Sequence, residues 1–231
     1  LKEAVALHRL KKQNGCQTVG SRMSELKDYL CAIQLALPPN YMRPTQDLMG
    51  NESRAGYSVR LQTMLKIYST RLLLCLPSRG SDEAQWKACW DENFEICYHT
   101  VEVIKQWDTQ VIPAINPTVC LIALPVLMFL HLHSQSRGSS NPSLLAELNR
   151  RKDIVRLLLR QYASHWALPR FLLGTLIKPL ATLSSRLTND CQLPTTHSCS
   201  RCLDLFFQKT FARSWINSMV LCIRSGLVSY L

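Results

Sequence analysis

Glycine is scarce in this chain, with eight among 231 residues, which leaves little material for a fold of many short strands joined by tight turns. Acidic residues are few as well, 16 against 27 lysines and arginines, for a formal net charge of +11. The sequence contains no G-x-S-x-G, no G-x-G-x-x-G, no Walker phosphate loop and no H-E-x-x-H. The nucleophile elbow, the dinucleotide cradle, the nucleotide phosphate grip and the zinc-protease site are excluded with them. A D-D-x-x-D magnesium motif is missing too, which argues against a helical enzyme of the terpenoid-synthase type. No basic segment leads into an apolar core of the secretory-signal kind. The chain begins at Leu1 rather than Met, so a fragment or a processed product is expected.

What is present is apolar and rich in leucine. Apolar residues make up 47% and charged ones 19%, a globular composition with length for one large core or two small ones. Ten cysteines stand at 16, 31, 75, 89, 97, 120, 191, 199, 202 and 222. Cys31, Cys75, Cys89, Cys97 and Cys120 fall within apolar helical patterns, so free, buried thiols in a reducing, intracellular compartment are expected rather than a disulfide framework. The charge is uneven: residues 1–80 hold 12 basic and 5 acidic groups, 81–108 hold 2 and 7, and 109–189 hold 9 and 2. The basic residues are scattered among apolar ones instead of being interleaved with aromatics, a pattern of solvated helix faces more than of a nucleic-acid surface.

Periodicity predicts five helices. The first spans about Ser24 to Leu37, with Leu26, Leu30, Ile33 and Leu37 as its stripe, and Pro38 and Pro39 stop it. The second spans about Ser58 to Leu76 on a stripe of Leu61, Leu65, Tyr68, Leu72 and Cys75. It turns apolar on all sides near its end, the mark of a buried segment, before Pro77 breaks it. The third runs from Glu83 to Trp107, with Ser81 or Asp82 as cap and Trp86, Trp90, Phe94, Cys97, Val101 and Ile104 facing a core. The fourth opens at Asn116-Pro117 and should kink at Pro125. The fifth opens at Asn141-Pro142 and carries Leu145, Leu148, Val155, Leu159, Tyr162 and Trp166, a stripe interrupted once by Lys152. From Asn189 onward no settled period emerges, and no repeat of fixed length is present.

Side chains with chemical potential mostly read as structural. His131 and His133 are two apart and diverge on a helix, so they make a poor metal pair. His99 and His165 sit alone within stripes, and the neighbouring acids Asp82-Glu83 and Asp91-Glu92 also diverge. Cys199 and Cys202, with His197 and Cys191 upstream, have the spacing of half a zinc site, but no second pair completes it. Residues 111–132 lack any acid, lysine or arginine over a length that could span a membrane. Pro113, Asn116, Pro117 and Pro125 interrupt that stretch, and a buried helix is the better reading.

Taken in order, these pieces resemble the fungal-specific transcription factor regulatory domain, the middle homology region that accompanies six-cysteine zinc-cluster activators. "LKDYLCAIQLALPPNYMRP" is similar to that family's short helix with a Leu-Pro end, and "YSTRLLLCLPS" to its next helix closing on leucines and a proline. "ACWDENFEICYHTVEVIKQW" looks like the cysteine-bearing helix that follows, then "INPTVCLIALPVLMFLHLH" like an apolar helix opened by proline, and "DIVRLLLRQYASHW" like a helix with a late aromatic. The resemblance covers about Ser24 to Leu168. The six-cysteine array that reads DNA in this family is not present, so no residue here is assigned to base contact.

The resemblance implies an all-α, multi-helix regulatory domain over residues 1–188, partial with respect to the family, followed by a poorly defined tail over 189–231. It implies a nuclear protein that controls transcription through an effector or partner, without catalytic residues. No metal ligands and no cofactor are expected in this chain, zinc belonging only to a missing DNA-binding cluster, and cofactor-binding residues are unknown. The implied partners are DNA through that missing cluster alone, protein co-regulators or a small-molecule effector, and a second copy in a homodimer. The alternative reading is a membrane-associated helical protein with one span near 111–132.

Overall fold

The computed structural model describes residues 3–4, 6–7, 17–45, 52–75, 83–108, 119–137, 141–167, 169–170 and 173–174. Five helices organise them: α1 (Gln17–Ala36), α2 (Arg54–Leu74), α3 (Glu83–Lys105), α4 (Val119–Arg137) and α5 (Pro142–His165). No strand occurs among the described residues, and the fold is all-α as expected. The chain divides into two compact units, Leu1–Asp108 with α1 to α3 and Thr109–Leu231 with α4 and α5.

In the first unit α2 is the central element, packing against both α1 and α3. Ser53 caps it in extended conformation, its Oγ accepting the Gly56 N–H at 3.1 Å. The helix therefore begins at Arg54, four residues before Ser58, because the polar stretch Arg54-Ala55-Gly56 has no apolar period to betray it. Its last turn is enclosed on every side: Leu72, Leu73, Leu74 and Cys75 are all buried, as the all-round apolar sequence predicts. Asn93 of α3, fully buried, donates from Nδ2 to the Cys75 carbonyl at 3.2 Å and so satisfies an oxygen at the helix end. Along α3, Trp90, Cys97, Val101 and Ile104 are buried on the expected stripe, with Phe94 half-buried. The proposed caps Ser81 and Asp82 lie outside the described residues.

The connection from α1 to α2 is pinned by one side chain. Asn40 takes a left-handed conformation, φ 68°, which its short amide tolerates. Tyr41 and Arg43 then donate their N–H groups to Pro38 and Asn40. Arg60, 1% exposed, reaches back from α2 into this turn. Its guanidinium donates to the carbonyls of Tyr41, Arg43 and Thr45 and to both oxygens of Glu52, with Nη2 to Oε2 at 2.8 Å. Tyr57 lies against the same guanidinium and donates its hydroxyl to the Pro44 carbonyl at 2.6 Å. The buried charge is paired, and four different acceptors use its rigid fork of donors.

α1 differs from expectation. It starts at Gln17, seven residues before Ser24, passing through Gly20, whose cost of about 1 kcal/mol does not stop a helix held by tertiary contacts. Ile33, expected on the packed stripe, is 53% exposed. At about 100° per residue it lies about 80° away from the line through Met23, Leu30 and Gln34, the residues that turn inward. Cys31, about 80° to the other side by the same rule, is exposed as well, against the expectation of a buried thiol.

In the second unit α4 and α5 pack together. α4 runs through Pro125 and is buried almost throughout: Cys120, Ile122, Leu124, Leu127, Phe129, Leu130 and Leu132 are each nearly inaccessible. The proposed Asn116-Pro117 start lies outside the described residues. α5 opens as expected, with Pro142 in its first turn and Asn141 Oδ1 accepting the N–H groups of Ser143 and Leu144 at 3.1 and 3.2 Å. Leu148, Val155, Leu159 and Tyr162 form its buried stripe, and Lys152, the one interruption, is itself buried at 6% exposure.

Candidate functional site

The first unit carries a small hollow of about 80 Å³, open to solvent, bounded by α1, the C-terminal end of α2 and the middle of α3. α1 supplies Lys27, Leu30, Cys31 and Gln34, residues spaced 3, 1 and 3 and therefore on one face; α2 supplies Arg71, Leu74 and Cys75, and α3 supplies Glu92. The floor is apolar, from Leu30, Leu74 and Cys75, and the rim is charged. Arg71 and Glu92 face each other at 3.6 Å, both partly exposed, a separation at which a surface pair contributes little to stability and can exchange for contacts to a bound group. An amphipathic guest, an apolar body with one polar end, matches this division of floor and rim.

The thiols of the hollow are chemically unequal. Burial pushes Cys75 up to about 12, with a hydrogen bond to Glu92 adding to the rise while Lys27 and Arg71 oppose it. It is a neutral thiol at physiological pH and not a nucleophile. Cys97 and Cys120 are raised further, by burial alone. These three serve as small core residues, which is the role their helical spacing indicated.

The residues singled out in the sequence do not converge. His99 is exposed, stacking on Tyr68 with ring centroids 5.7 Å apart. His165 is exposed at the end of α5, His133 is buried, and His131 is half-buried. Among the described residues no group of three or more His, Cys, Asp or Glu could hold a metal ion. Cys191, His197, Cys199 and Cys202, and the whole of 189–231, lie outside the described residues. Of the stretch 111–132, residues 119–132 belong to α4, and no helix among the described residues is long and apolar enough to cross a membrane. The hollow itself had a readable signal in Lys27, Leu30, Cys31 and Gln34, but the competing stripe through Ile33 obscured it. Comparison with protein families and curated proteins, and of the fold with solved structures, gives no match.

Proposed function

We propose that this chain is the regulatory, non-DNA-contacting module of a fungal zinc-cluster transcription factor, acting in the nucleus by binding an effector or a partner protein. The observation that supports it is the order of breaks and helices. A helix closing on Leu-Pro-Pro, a helix ending in buried leucines, a cysteine-bearing helix, a proline-containing apolar helix and a helix with late aromatics follow one another as in the family it resembles. The hollow bounded by α1, α2 and α3 offers a place for such a partner or effector. Regulation then works by differential binding: a guest that prefers one arrangement of α1 on α2 shifts the population toward it.

The reading is tested by joining the chain to an unrelated DNA-binding domain and activation domain in a fungal reporter strain. The expected result is reporter output that responds to growth condition when residues 1–174 are present and becomes constant when 83–168 are deleted. Output that is the same with and without the segment under all conditions defeats the proposal.

A further inference from the structure

The interruption in the α5 stripe is a buried cation without a carboxylate. Lys152 is 6% exposed, and its Nζ donates to Ser134 Oγ of α4 at 2.9 Å. That hydroxyl in turn donates to the His131 carbonyl at 2.7 Å. Among the described residues no acid lies within ion-pair distance of this ammonium. The neighbouring carboxylates are engaged elsewhere: Glu147 holds Arg150 and Arg151, and the exposed Asp153 holds Arg156 at 2.9 Å. An isolated buried ammonium costs several kcal/mol unless something compensates it.

The surroundings add positive character. Arg156 stands one turn beyond Lys152 on α5, about a third exposed, and the imidazole of His131 is near enough for both cations to act on it. Burial, with Lys152 and Arg156 next, lowers His131 to about 4, and burial followed by Arg156 lowers Lys152, with Asp153 opposing. The cluster thus grades from an ammonium between the helices to a guanidinium at the surface that is paired with an exposed aspartate, a pairing that solvent weakens. An ammonium, an imidazole and a guanidinium are the kinds of donor that bind an oxyanion. The Ser134 hydroxyl, whose proton is held by the His131 carbonyl, serves to place the ammonium.

We propose that Lys152, held in place by Ser134, forms with His131 and Arg156 a binding site for the anionic group, carboxylate or phosphate, of a small acidic molecule. The proposal deepens the reading of the chain as an effector-responsive module and rests on it for its biological sense. Its physical test does not depend on transcription. Arg156 would turn from Asp153 to the incoming oxyanion, Lys152 would gain the counter-charge it lacks, and the bound anion would favour protonation of His131.

The thermal unfolding of the full chain is to be followed near neutral pH, in chloride at constant ionic strength, with chloride replaced stepwise by inorganic phosphate in one arm and by succinate in the other. Wild type is expected to show a saturable rise in Tm that follows mass action. A rise with phosphate alone identifies a phosphate site, one with succinate alone a carboxylate site, and one with both a general oxyanion site. The rise is expected to vanish in Lys152→Met and to fall by more than half in Arg156→Gln, whose more exposed position keeps folding out of question. Arg150→Gln, on the same helix and with the same loss of charge, is expected to respond as wild type does. No rise in either arm, or an equal rise in Lys152→Met and Arg156→Gln, overturns the proposal. Because the readout is binding to the chain itself, its failure leaves the reporter result unaffected.

Discussion

Both units bury long cationic side chains, Arg60 in the first and Arg151 and Lys152 in the second. Arg151 is paired with Glu147 at 2.7 Å, whereas Arg60 and Lys152 are treated in opposite ways. Arg60 in the first unit is surrounded by three backbone carbonyls and the Glu52 carboxylate. Lys152 in the second has one hydroxyl. Burial alone therefore does not say what a charge is for. A cation whose every donor has an acceptor is a structural rivet, here fixing Tyr41, Arg43, Thr45 and Glu52 onto α2. A cation left with a single neutral acceptor holds a charge that the described fold does not use.

The sharpest way to break this contrast is at Arg60. Arg60→Met leaves Glu52, itself mostly buried, without its counter-charge and frees the carbonyls of Tyr41, Arg43 and Thr45. Removing one partner of a buried pair costs roughly 3–5 kcal/mol, and that loss is expected in chemical denaturation followed on the first unit. Arg60→Lys should recover only part of it, because a single ammonium cannot span the same four acceptors. A loss below about 1 kcal/mol, the range of an exposed ion pair, would mean that the connection is not held by this side chain.

The second unit should instead show its charge cluster through pH. His131 titrates near 6.5 when unfolded and about 4 when folded, so the unfolded chain binds the proton more readily. The stability this represents is present above pH 6.5 and is lost as pH falls from there through 4. His131 is only partly buried, so the loss is expected to be roughly 1–2 kcal/mol rather than the full linkage value. Glu147, held down to about 2 first by its hydrogen bond to Arg150, titrates from 4.5 downward and leaves the interval above that to His131. His131→Gln should flatten the profile between pH 4.5 and 6.5. A profile unchanged by the substitution would remove His131 from the cluster.

Much of the fold was legible because its signals are local. Asn141-Pro142 announces the start of α5 within two residues, and Leu72 to Cys75 announce a buried helix end within four. Ser53 was hidden, since a cap is recognised by the apolar run after it and Arg54-Ala55-Gly56 offers none. Ile33 was misplaced because a 4, 3, 4 spacing fits two neighbouring faces of a helix, and only the partner helix selects one. Lys152 was visible as an interruption, but its meaning depends on Ser134 and His131, whose distance from it is set by packing and not by sequence. The hollow likewise draws on three helices, and no single one of them displays it.

The two caps give a smaller, matched pair of tests. Ser53→Ala removes the acceptor for Gly56 N–H, and Asn141→Ala removes the acceptor for Ser143 and Leu144. Each is expected to cost about 1 kcal/mol, Asn141 the more because it serves two donors. Hydrogen exchange at the first turns of α2 and α5 would locate the loss. An effect spread evenly over both units would show that they unfold as one body and that stability cannot be assigned to either separately.

The smallest expected effect decides the comparison. Lys152→Met replaces a buried ammonium with an apolar chain of similar length. Ser134 keeps its hydrogen bond to the His131 carbonyl, so the substitution orphans no polar group. Exchanging a buried charge for a packed apolar group is often neutral or stabilising, and in chloride buffer free of other anions the change is expected to stay within about 1 kcal/mol of wild type. Set beside the loss at Arg60, that near-zero value would mean that the lysine is not retained for stability and that its charge is available to a ligand. A cost at Lys152 as large as the one at Arg60 would show that the ammonium already has an anionic partner within the chain, and the two buried cations would then be rivets alike.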